Sequence, residues 1–446
     1  MEKTILESVS RYVDNYDIGK IIETYIDMIG PYKKDWVSIY PNFTSKDHDT
    51  HTSMFERWVL EKHFSIAFLY FHIPFCIRKC SYCIFHTISD LSLINEYLKA
   101  IHKEAYAFLT RLSSNTKVQH LYFGGGTPSL LPGNSIKTLL ETTFKFIHRD
   151  NIQKITIELH PEFINSSIYN LAGSYFNRVS IGIQSFSRFV LNENKRIYVD
   201  LQKIETICIG LRKKHIQDIN LDFMVGLDGQ NIDSVLQDIS EINKLVNKGL
   251  IDSVTVYPRI YLSSYAMANK TIYKDYLLKR FKMLLAYKEY FAKYVNWIES
   301  PMYFFASKKK LCFQPSSTIN GTSTVAKLGF GSSAYSYFDN TNFRNTIQVK
   351  KYCNNITKYG TSTEHSHYLN SQEINRRYLI FGAKRGYFDY ALPFTISREA
   401  TERLNNLVNN FIDKGLVITN NKKFELTLLG NLFVGWIIEQ LDTLFS

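Results

Sequence analysis

The sequence predicts an α/β protein built around a parallel β-sheet, with a smaller helical domain at the C-terminal end. Between about residues 66 and 257, short β-rich runs alternate with stretches of helical apolar spacing, a rhythm that is typical of repeated βα units. The 446 residues are 45% apolar and 15% aromatic, enough to bury one large core and one or two smaller ones. The six predicted strands, which form a partial barrel or a curved open sheet, are Ile66–Phe71, Val118–Phe123, Lys154–Leu159, Arg178–Ile183, Asp218–Val225 and Ser253–Tyr257.

The same patterns divide the chain into four predicted segments. Residues 1–60 form a helical or irregular segment, residues 61–260 the partial barrel, and residues 261–365, which are richer in Tyr, Ser and Asn, an extension that covers the barrel mouth. Residues 366–446 form a winged-helix-like domain, because the run GLVITNNKKFELTLLG predicts two short strands joined by an Asn-Asn turn and followed by an apolar helix. Winged helices can bind DNA, but they often serve only for packing, and we expect packing here.

The composition excludes several classes of protein. The chain has no run of about 18 or more apolar residues, and its N-terminal residues are mixed and acidic, so we expect no membrane span, no secretory signal and a cytoplasmic location. The net charge of +12 suits an acidic partner or a substrate with several carboxylates. The basic residues are scattered along the chain rather than concentrated in a stripe, so no nucleic-acid partner is predicted.

The cysteines indicate a metal site in a reducing compartment. Three of the six lie within eight residues, at Cys76, Cys80 and Cys83, a spacing unlike that of a disulfide framework. The remaining ones are predicted to be buried thiols: Cys208, Cys312 and Cys353.

The cysteine spacing CxxxCxxC, in the run YFHIPFCIRKCSYC at residues 70–83, directly follows the first predicted strand. Three thiolates at this spacing can bind three irons of a [4Fe–4S] cluster, which leaves the fourth iron without a cysteine. That open position can bind the amino and carboxylate groups of S-adenosylmethionine (SAM) and pass an electron to its sulfonium, so that a C–S bond breaks and a 5′-deoxyadenosyl radical forms. The run therefore predicts a radical SAM enzyme with Cys76, Cys80 and Cys83 as the metal ligands.

A structural zinc site is the alternative for these cysteines, since His72 or His86 could complete a Cys₃His tetrahedron. Zinc motifs usually come as two close cysteine pairs, whereas this triplet opens a series of βα units, which favours the cluster.

A glycine run points the same way. FGGGTPS, at residues 123–129, ends the second strand, and its glycines let the backbone approach a ligand closely at the mouth of a parallel barrel.

With these motifs on a βα series, the chain resembles the family of oxygen-independent coproporphyrinogen III oxidases and their relatives, the bacterial heme chaperones and the radical SAM methyltransferases, cyclopropanases and heme-ring-opening enzymes. The resemblance spans about residues 64–446. It includes four further runs: IELHP at 157–161, RVSIGIQSF at 178–186, NLDFMVGL at 220–227 and LGFGSSAY at 328–335. It implies a partial (β/α)₆ radical SAM barrel with a helical C-terminal domain, which agrees with the strands predicted above.

In this family two SAM molecules can bind side by side, and the resemblance implies which residues hold them. The matching positions for the SAM on the cluster are Tyr70, Gly125, Glu158 and Tyr335, with Tyr70 also implied as a catalytic residue. Those for the second SAM are Tyr82, Gly126, Thr127, Gln184, Arg196, Asp222 and Ile260. The chemistry of these side chains suits the assignment, because carboxylates can hold ammonium and ribose groups and an arginine can pair with a carboxylate.

Three departures bear on which member of the family this chain resembles. The best-known oxidases have a further cysteine two residues after the third ligand, where this chain has Phe85, and this weakens the oxidase assignment without excluding it. Heme chaperones typically carry an HNxxYW segment before the GxGxxA turn, which residues 323–329 lack, and this counts against heme trafficking. The run VYPR at residues 256–259 also differs from the oxidases and could line a different substrate.

The leading functional prediction is an oxidoreductase of porphyrin biosynthesis, which abstracts a hydrogen from the β-carbon of a propionate in a coproporphyrinogen III-type substrate and releases CO₂. The first alternative is methyl or methylene transfer from a second SAM in a biosynthetic pathway. Two alternatives belong to other classes: a heme-binding chaperone without turnover and a zinc-stabilised DNA binder. The expected cofactors are one [4Fe–4S] cluster and one or two SAM molecules. The expected partners are a small-molecule substrate, with a tetrapyrrole as the leading candidate, and a reducing electron donor such as flavodoxin or ferredoxin.

Overall fold

The structure is a computed structural model centred on one long mixed β-sheet. It describes residues 2–15, 17–29, 50–60, 65–259, 270–299, 303–307, 309, 326–420 and 423–444. In this part of the chain the strands are β1 (Ser65–Ile73), β2 (Lys117–Gly125), β3 (Ile152–Leu159), β4 (Arg178–Gln184), β5 (Asp218–Val225), β6 (Ser253–Pro258), β7 (Ile298–Glu299), β8 (Phe304–Ala306), β9 (Ala326–Phe330), β10 (Tyr335–Phe338), β11 (Thr341–Asn345), β12 (Thr363–Tyr368), β13 (Tyr387–Asp389), β14 (Val417–Asn420) and β15 (Lys423–Leu426). The helices are α1 (Glu2–Asn15), α2 (Ile18–Ile29), α3 (Thr50–Leu60), α4 (Ile94–Leu109), α5 (Gly133–Phe146), α6 (Ser166–Tyr175), α7 (Arg188–Glu193), α8 (Leu201–Lys213), α9 (Ile232–Asn247), α10 (Lys270–Glu289), α11 (Val349–Tyr359), α12 (Ser371–Arg385), α13 (Arg398–Asp413), α14 (Leu428–Leu432) and α15 (Val434–Thr443).

Strands β1 to β6 form the parallel centre of the sheet, and they are paired in chain order. Each of the six strands predicted from the sequence lies within one of them, which confirms the α/β fold class with a parallel sheet. Helices α4 to α9 connect successive strands. Polar side chains fix where these helices begin: Asp200 accepts the N–H of Lys203 at 2.8 Å before α8, and Asn231 and Ser234 form a capping box at α9.

Successive residues of the central strands alternate between two environments, because side chains on a strand point to opposite faces. On one face, apolar side chains such as Val179 are buried in the core. On the other face the side chains are polar and pair with one another: Arg178 Nε lies 2.7 Å from Asp218 Oδ2, and the Ser180 hydroxyl donates to Asp222 Oδ2 at 2.7 Å. Burying a charge costs free energy unless the charge is paired, and these partners offset that cost on the polar inner face. This face leads to the cavity described below.

The sheet extends beyond its parallel centre at both edges. Strand β9 pairs in parallel with β1 and is followed by the antiparallel strands β10, β11 and β12, while β8 and β7 pair in antiparallel fashion beyond β6. That residues 261–365 cover the barrel mouth stays a prediction, and the described strands of this region lengthen the sheet. These strands have two to six residues each, too few for the alternation of apolar and polar residues to identify them.

The two ends of the chain add smaller units. Helix α1 packs against α9 and α10, and α2 packs against α10. The C-terminal region is helical, as predicted, and contains the three-stranded sheet β13-β15-β14. Strands β14 and β15 are antiparallel with Asn420 opposite Lys423, which is the hairpin that the Asn-Asn run predicts.

None of the described helices is both long and apolar enough to cross a membrane.

Two of the predicted buried thiols, Cys208 and Cys353, are buried and free. Cys312 lies outside the described residues.

Candidate active site

A cavity of about 330 Å³ opens at the C-terminal ends of strands β2 to β6. Parallel sheets bind ligands at this end, where the loops that follow the strands converge. The predicted site residues that line the cavity are Cys76, Cys80, Tyr82, Cys83, Gly125, Gly126, Thr127, Glu158, Gln184, Arg196 and Asp222. Tyr70 and Tyr335 do not line it, and Ile260 lies outside the described residues.

The three clustered cysteines lie in a loop that begins where β1 ends. The loop closes on itself, because the Cys76 N–H donates to the Ile88 carbonyl at 3.0 Å and the Ile88 N–H donates to the Pro74 carbonyl at 2.8 Å. Within it, the Cys83 N–H donates to the Cys80 carbonyl at 3.1 Å, which makes a turn between two thiols. These backbone contacts turn three cysteines of one short segment toward the same cavity.

Two opposing effects act on the pKa of the thiols: burial favours the protonated form, and neighbouring polar groups favour the ionised form. Burial raises the pKa of the Cys76 and Cys83 thiols. The Thr127 hydroxyl, 3.4 Å from the Cys76 sulfur, and the Arg196 guanidinium act in the opposite direction. An iron that binds a thiolate has the same effect as these groups, so the site becomes fully ionised once metal is present.

The donor set fits an iron–sulfur cluster better than a single zinc ion. Among the described residues, no three His, Cys, Asp or Glu side chains converge on a point where one metal ion could sit, as a Cys₃His zinc site requires. A cubane cluster does not need such convergence, because each thiolate binds a different iron. The residues present therefore fit a [4Fe–4S] cluster held by Cys76, Cys80 and Cys83.

The glycine run at the end of β2 lets the backbone pass close to the cysteine loop. Gly125 has a φ of +113°, and a Cβ at this position would lie 2.6 Å from the ring of His72. A Cβ on Gly126 would lie 2.6 Å from the carbonyl oxygen of Phe75. Both positions therefore require glycine, one for its conformation and both for space.

Glu158, at the end of β3, is one of two carboxyls on the cavity wall. It accepts hydrogen bonds from the Tyr122 hydroxyl at 2.6 Å and from the Gly125 N–H at 3.1 Å. Burial raises the pKa of Glu158 to about 7, although both hydrogen bonds oppose this shift. A cationic ligand group beside Glu158 would favour the ionised form and be bound by it.

Asp222 is the second carboxyl, and it lies on the polar inner face of the sheet, on β5. The Ser180 hydroxyl donates to it at 2.7 Å and the Asn220 amide at 2.8 Å. Burial raises the pKa of Asp222, and these two hydrogen bonds oppose that shift. Together with Glu158, it makes this wall of the cavity suitable for ammonium or hydroxyl groups of a ligand.

Arg196 connects the cysteine loop to the end of β4. Its guanidinium donates to the Gly182 carbonyl oxygen, and Nη1 lies 3.9 Å from the Cys80 sulfur. Tyr82 interacts with the Arg196 guanidinium and the Cys80 thiol, and burial raises the pKa of its hydroxyl. The side chain of Arg196 is 9% exposed, so a carboxylate that enters the cavity would meet a desolvated cation.

Gln184 is the last residue of β4 and has a left-handed backbone, with a φ of +73°. The pairing of β4 with β5 shifts register between Gly182 and Gln184. Such irregularities at strand ends often redirect a side chain. Here the result is that Gln184 joins the cavity wall.

The two remaining predicted residues lie beside the cavity. The Tyr70 hydroxyl is 3.1 Å from Nδ1 of His72, whose ring packs against Gly125, and burial raises the pKa of Tyr70. Tyr335 begins β10, and its backbone packs against Gly329, which is paired with Tyr70 in the sheet.

Several cavity residues were not among the predicted ones. His160, Ser180 and Tyr257 line the cavity, and the first two belong to runs that the sequence had marked without assigning a role to these positions. Tyr257 belongs to the run VYPR, which was expected to line a substrate. Asn194 was missed altogether: its carbonyl and side-chain oxygens accept hydrogen bonds from Ser81 in the cysteine loop, each at 3.1 Å.

Most of the residues that line the cavity fall within a stretch that matches a known protein family. Residues 70–242 match the family described as the radical SAM superfamily. This stretch contains the cysteine loop, the glycine run and strands β2 to β5. Of the cavity residues discussed above, only Tyr257 lies beyond it.

Relatives of this chain carry two different names. The heme chaperone HemW of Buchnera aphidicola subsp. Acyrthosiphon pisum is 29% identical over 366 residues, which cover 80% of this chain and 91% of that protein. The oxygen-independent coproporphyrinogen III oxidase of Synechocystis sp. is 32% identical over 168 residues, which cover 37% of this chain and 36% of that protein. The heme chaperone HemW of Buchnera aphidicola subsp. Schizaphis graminum is 36% identical, over 46% of its own length. In the last two cases the chain therefore spans less than half of the relative.

The structure is similar to the coproporphyrinogen III oxidase HemN of Escherichia coli. The TM-score is 0.73 at 21% sequence identity, and the match covers 92% of this chain and 99% of that chain. At this level of identity the likeness shows a common fold.

Proposed function

We propose that this chain, which carries a radical SAM domain over residues 70–242 and has relatives named both heme chaperone HemW and oxygen-independent coproporphyrinogen III oxidase, is an enzyme that cleaves SAM reductively. The domain implies a [4Fe–4S] cluster and bound SAM. The observation that carries the proposal is that three thiols, two carboxyls and one arginine line a single cavity. When bound, the cluster supplies the electron that breaks a C–S bond of SAM and yields a 5′-deoxyadenosyl radical.

The chain's own residues would bind and orient the cofactors. Cys76, Cys80 and Cys83 would hold the cluster. Glu158, which Tyr122 and the Gly125 N–H already orient, would accept hydrogen bonds from the ammonium or ribose groups of a SAM bound there. The glycine run would let that nucleoside lie against the backbone.

A second SAM is supported by other residues that line the same cavity. Gln184, Arg196 and Asp222 provide an amide, a cation and a carboxylate, which suit a zwitterionic nucleoside. They lie at the ends of β4 and β5 and in the segment that joins these strands. If this site fills, it favours methyl or methylene transfer, in which the second SAM donates carbon.

The leading substrate is a tetrapyrrole with carboxylate side chains. The 5′-deoxyadenosyl radical would take a hydrogen atom from the β-carbon of a propionate, and loss of CO₂ with transfer of one electron to a one-electron acceptor would leave a vinyl group. The rim of the cavity supports an apolar, acidic substrate: Ile77, Ile84 and Phe85 line it while being about half exposed, and the exposed cations Arg78 and Lys79 lie in the same loop. The net charge of +12 suits the same substrate class. A low-potential protein such as flavodoxin or ferredoxin would supply the electron.

Heme trafficking is the second candidate, because the relatives that match most of this chain are named heme chaperone HemW. The same apolar rim could hold a heme face. In that case binding of the ligand would not require consumption of SAM.

One experiment separates these functions. Anaerobically reconstituted protein is reduced with dithionite or flavodoxin and incubated with SAM, with and without coproporphyrinogen III, and 5′-deoxyadenosine, CO₂ and methylated products are quantified. Hemin binding is measured in parallel by absorbance. Formation of 5′-deoxyadenosine together with CO₂ supports the oxidase, whereas tight hemin binding without SAM cleavage supports the chaperone. A protein that takes up no iron and sulfide and does not cleave SAM would refute the proposal.

A further inference from the structure

A buried carboxyl on helix α9, Asp238, lies against the residues that follow strand β4. Its side chain accepts hydrogen bonds from the Phe186 N–H at 2.5 Å, from the Ser185 hydroxyl at 3.0 Å and from the Tyr287 hydroxyl at 3.3 Å. Two of these donors belong to the residues directly after Gln184, and the third belongs to α10. Asp238 has no exposed surface and does not line the cavity.

Gln184 needs such support, because its backbone is in a conformation that residues other than glycine rarely adopt. Its φ is +73°, and the β4–β5 register shifts at this point. A strained conformation persists only where the surrounding structure holds it. The hydrogen bonds that Asp238 accepts from Ser185 and Phe186, the two residues after Gln184, act as this restraint.

We propose that Asp238 is a positioning residue: by accepting the Phe186 N–H and the Ser185 hydroxyl, it keeps Gln184 turned into the cavity and so sets the affinity for the ligand that Gln184 contacts. That this ligand is SAM rests on the proposed function. Tyr287 strengthens the arrangement from α10, because its hydroxyl donates to the same carboxyl.

The electrostatics agree with a role as hydrogen-bond acceptor rather than as a member of an ion pair. Burial raises the pKa of Asp238 to about 7, the three hydrogen bonds oppose this shift, and the charged group that adds to it is Glu241 on the same helix. The groups that face the carboxyl from other elements are the Phe186 amide, the Ser185 hydroxyl and the Tyr287 phenol. A buried carboxyl is costly at this position, and its acceptor geometry gives a reason for it.

The test is a double-mutant cycle on the dissociation constant of SAM, measured by calorimetry with anaerobically reconstituted protein. Asp238→Ala removes both acceptor oxygens, and Gln184→Ala removes the amide that would touch the ligand. Because the effect of Asp238 runs through Gln184, we expect Asp238→Ala to weaken SAM binding about tenfold in the parent and about twofold or less in the Gln184→Ala protein. Asp238→Asn keeps one acceptor oxygen and should give an intermediate loss.

The chain offers a matched control in the turn that directly follows α10. The Tyr290 hydroxyl donates to Asn243 of α9 at 3.1 Å, close to the Tyr287 contact but without a link to Gln184. Tyr287→Phe should weaken SAM binding by about threefold, and Tyr290→Phe should leave it unchanged, although both variants lose an interhelical hydrogen bond.

Hydrogen exchange in the ligand-free protein gives a readout that does not depend on SAM. Asp238→Ala should speed exchange of the Phe186 amide by about tenfold, and Tyr290→Phe should not. If the parent protein binds no SAM, the proposed function fails and the exchange rates alone decide the positioning role. The inference is overturned if the Phe186 amide of Asp238→Ala exchanges at the parent rate, or if its full loss of SAM affinity persists in the Gln184→Ala protein.

Discussion

Tyr97 donates a hydrogen bond of 2.6 Å to the carbonyl oxygen of His72, one residue before the end of β1. The same hydroxyl accepts the N–H of Ser332 at 3.1 Å, so helix α4, strand β1 and the turn after β9 meet at one oxygen atom. The cysteine loop starts directly after this point. Its base is therefore fixed by a side chain that does not line the cavity.

We expect Tyr97→Phe to lower the free energy of unfolding by about 1–3 kcal/mol, because it leaves a buried carbonyl and a buried N–H without this partner. Urea denaturation measures the loss, and hydrogen exchange should show faster opening of residues 74–88. Tyr106→Phe, on the same helix but half exposed, is the control and should change stability by about 0.5 kcal/mol or less. Equal effects of the two changes would contradict the role given to Tyr97.

Cys83→Ala should abolish formation of 5′-deoxyadenosine while it preserves the fold, because it removes one of three iron ligands from a loop outside the sheet. Iron and sulfide analysis after reconstitution should show loss of the intact cluster. Cys208→Ala removes a buried thiol far from the loop and should keep about four irons per chain. SAM cleavage at the parent rate by Cys83→Ala would mean that the ligand assignment is wrong.

Arg196→Ala should weaken a second SAM binding event by about 1.5–3 kcal/mol, the usual value of a hydrogen bond to a charged group. The measurement is a SAM titration of reconstituted protein, with iron content as a check that the cluster is still assembled. Arg188→Ala removes an exposed arginine outside the cavity and serves as the control. A single binding event in the parent, unchanged in Arg196→Ala, would rule out the second site.

Gly125→Ala and Gly249→Ala separate backbone strain from steric exclusion. Both glycines have positive φ, +113° and +64°, but a Cβ on Gly125 would lie 2.6 Å from the His72 ring, whereas one on Gly249 would have no atom within 4 Å. We expect Gly249→Ala to cost about 1 kcal/mol and Gly125→Ala roughly 2–4 kcal/mol, measured by thermal or urea unfolding. Equal costs would show that His72 yields without penalty.

Glu104 on α4 makes the stability depend on pH. Its buried carboxyl accepts hydrogen bonds from the Tyr352 hydroxyl at 2.6 Å, the Asn345 amide at 2.7 Å and the Gly331 N–H at 2.8 Å, and burial raises its pKa to about 7. Between pH 4.5 and about 7 the folded protein therefore holds a proton that the unfolded chain releases. This contribution to stability is complete below pH 4.5 and is lost as the pH rises through 7.

Glu104→Gln should remove that proton linkage and reduce the loss of stability between pH 5 and 7.5 by roughly 1–3 kcal/mol. Urea unfolding at the two pH values measures it. Glu96→Gln changes an exposed carboxyl of the same helix and should leave the parent pH dependence in place. A Glu104→Gln profile parallel to that of the parent would contradict the assignment.

The sequence predicted what local patterns encode. The six central strands follow from short apolar runs, and the cysteine loop follows from spacing within a single segment. It could not predict contacts between distant segments. The hydrogen bonds between Ser81 and Asn194 and between Phe186 and Asp238 depend on the finished arrangement of strands and helices, and neither Asn194 nor Asp238 belongs to a recognisable motif.

The edge strands escaped prediction for the same reason. Ala326–Phe330 becomes a strand because β1 offers it a partner, with Gly329 opposite Tyr70. A run of five residues carries too little alternation to show this by itself.

The pairing of β9 with β1 also has a consequence for synthesis of the protein on the ribosome. Strands β1 to β6 emerge in their order in the sheet and can pair as they appear, because chains fold from the N-terminal side during translation. The free edge of β1, next to the cysteine loop, stays uncovered until Ala326–Phe330 has been made. An uncovered edge is a template for pairing with other chains. The nascent chain can therefore pair wrongly at the β1 edge until this segment leaves the ribosome, and the open edge then passes to β9 and the antiparallel strands made after it.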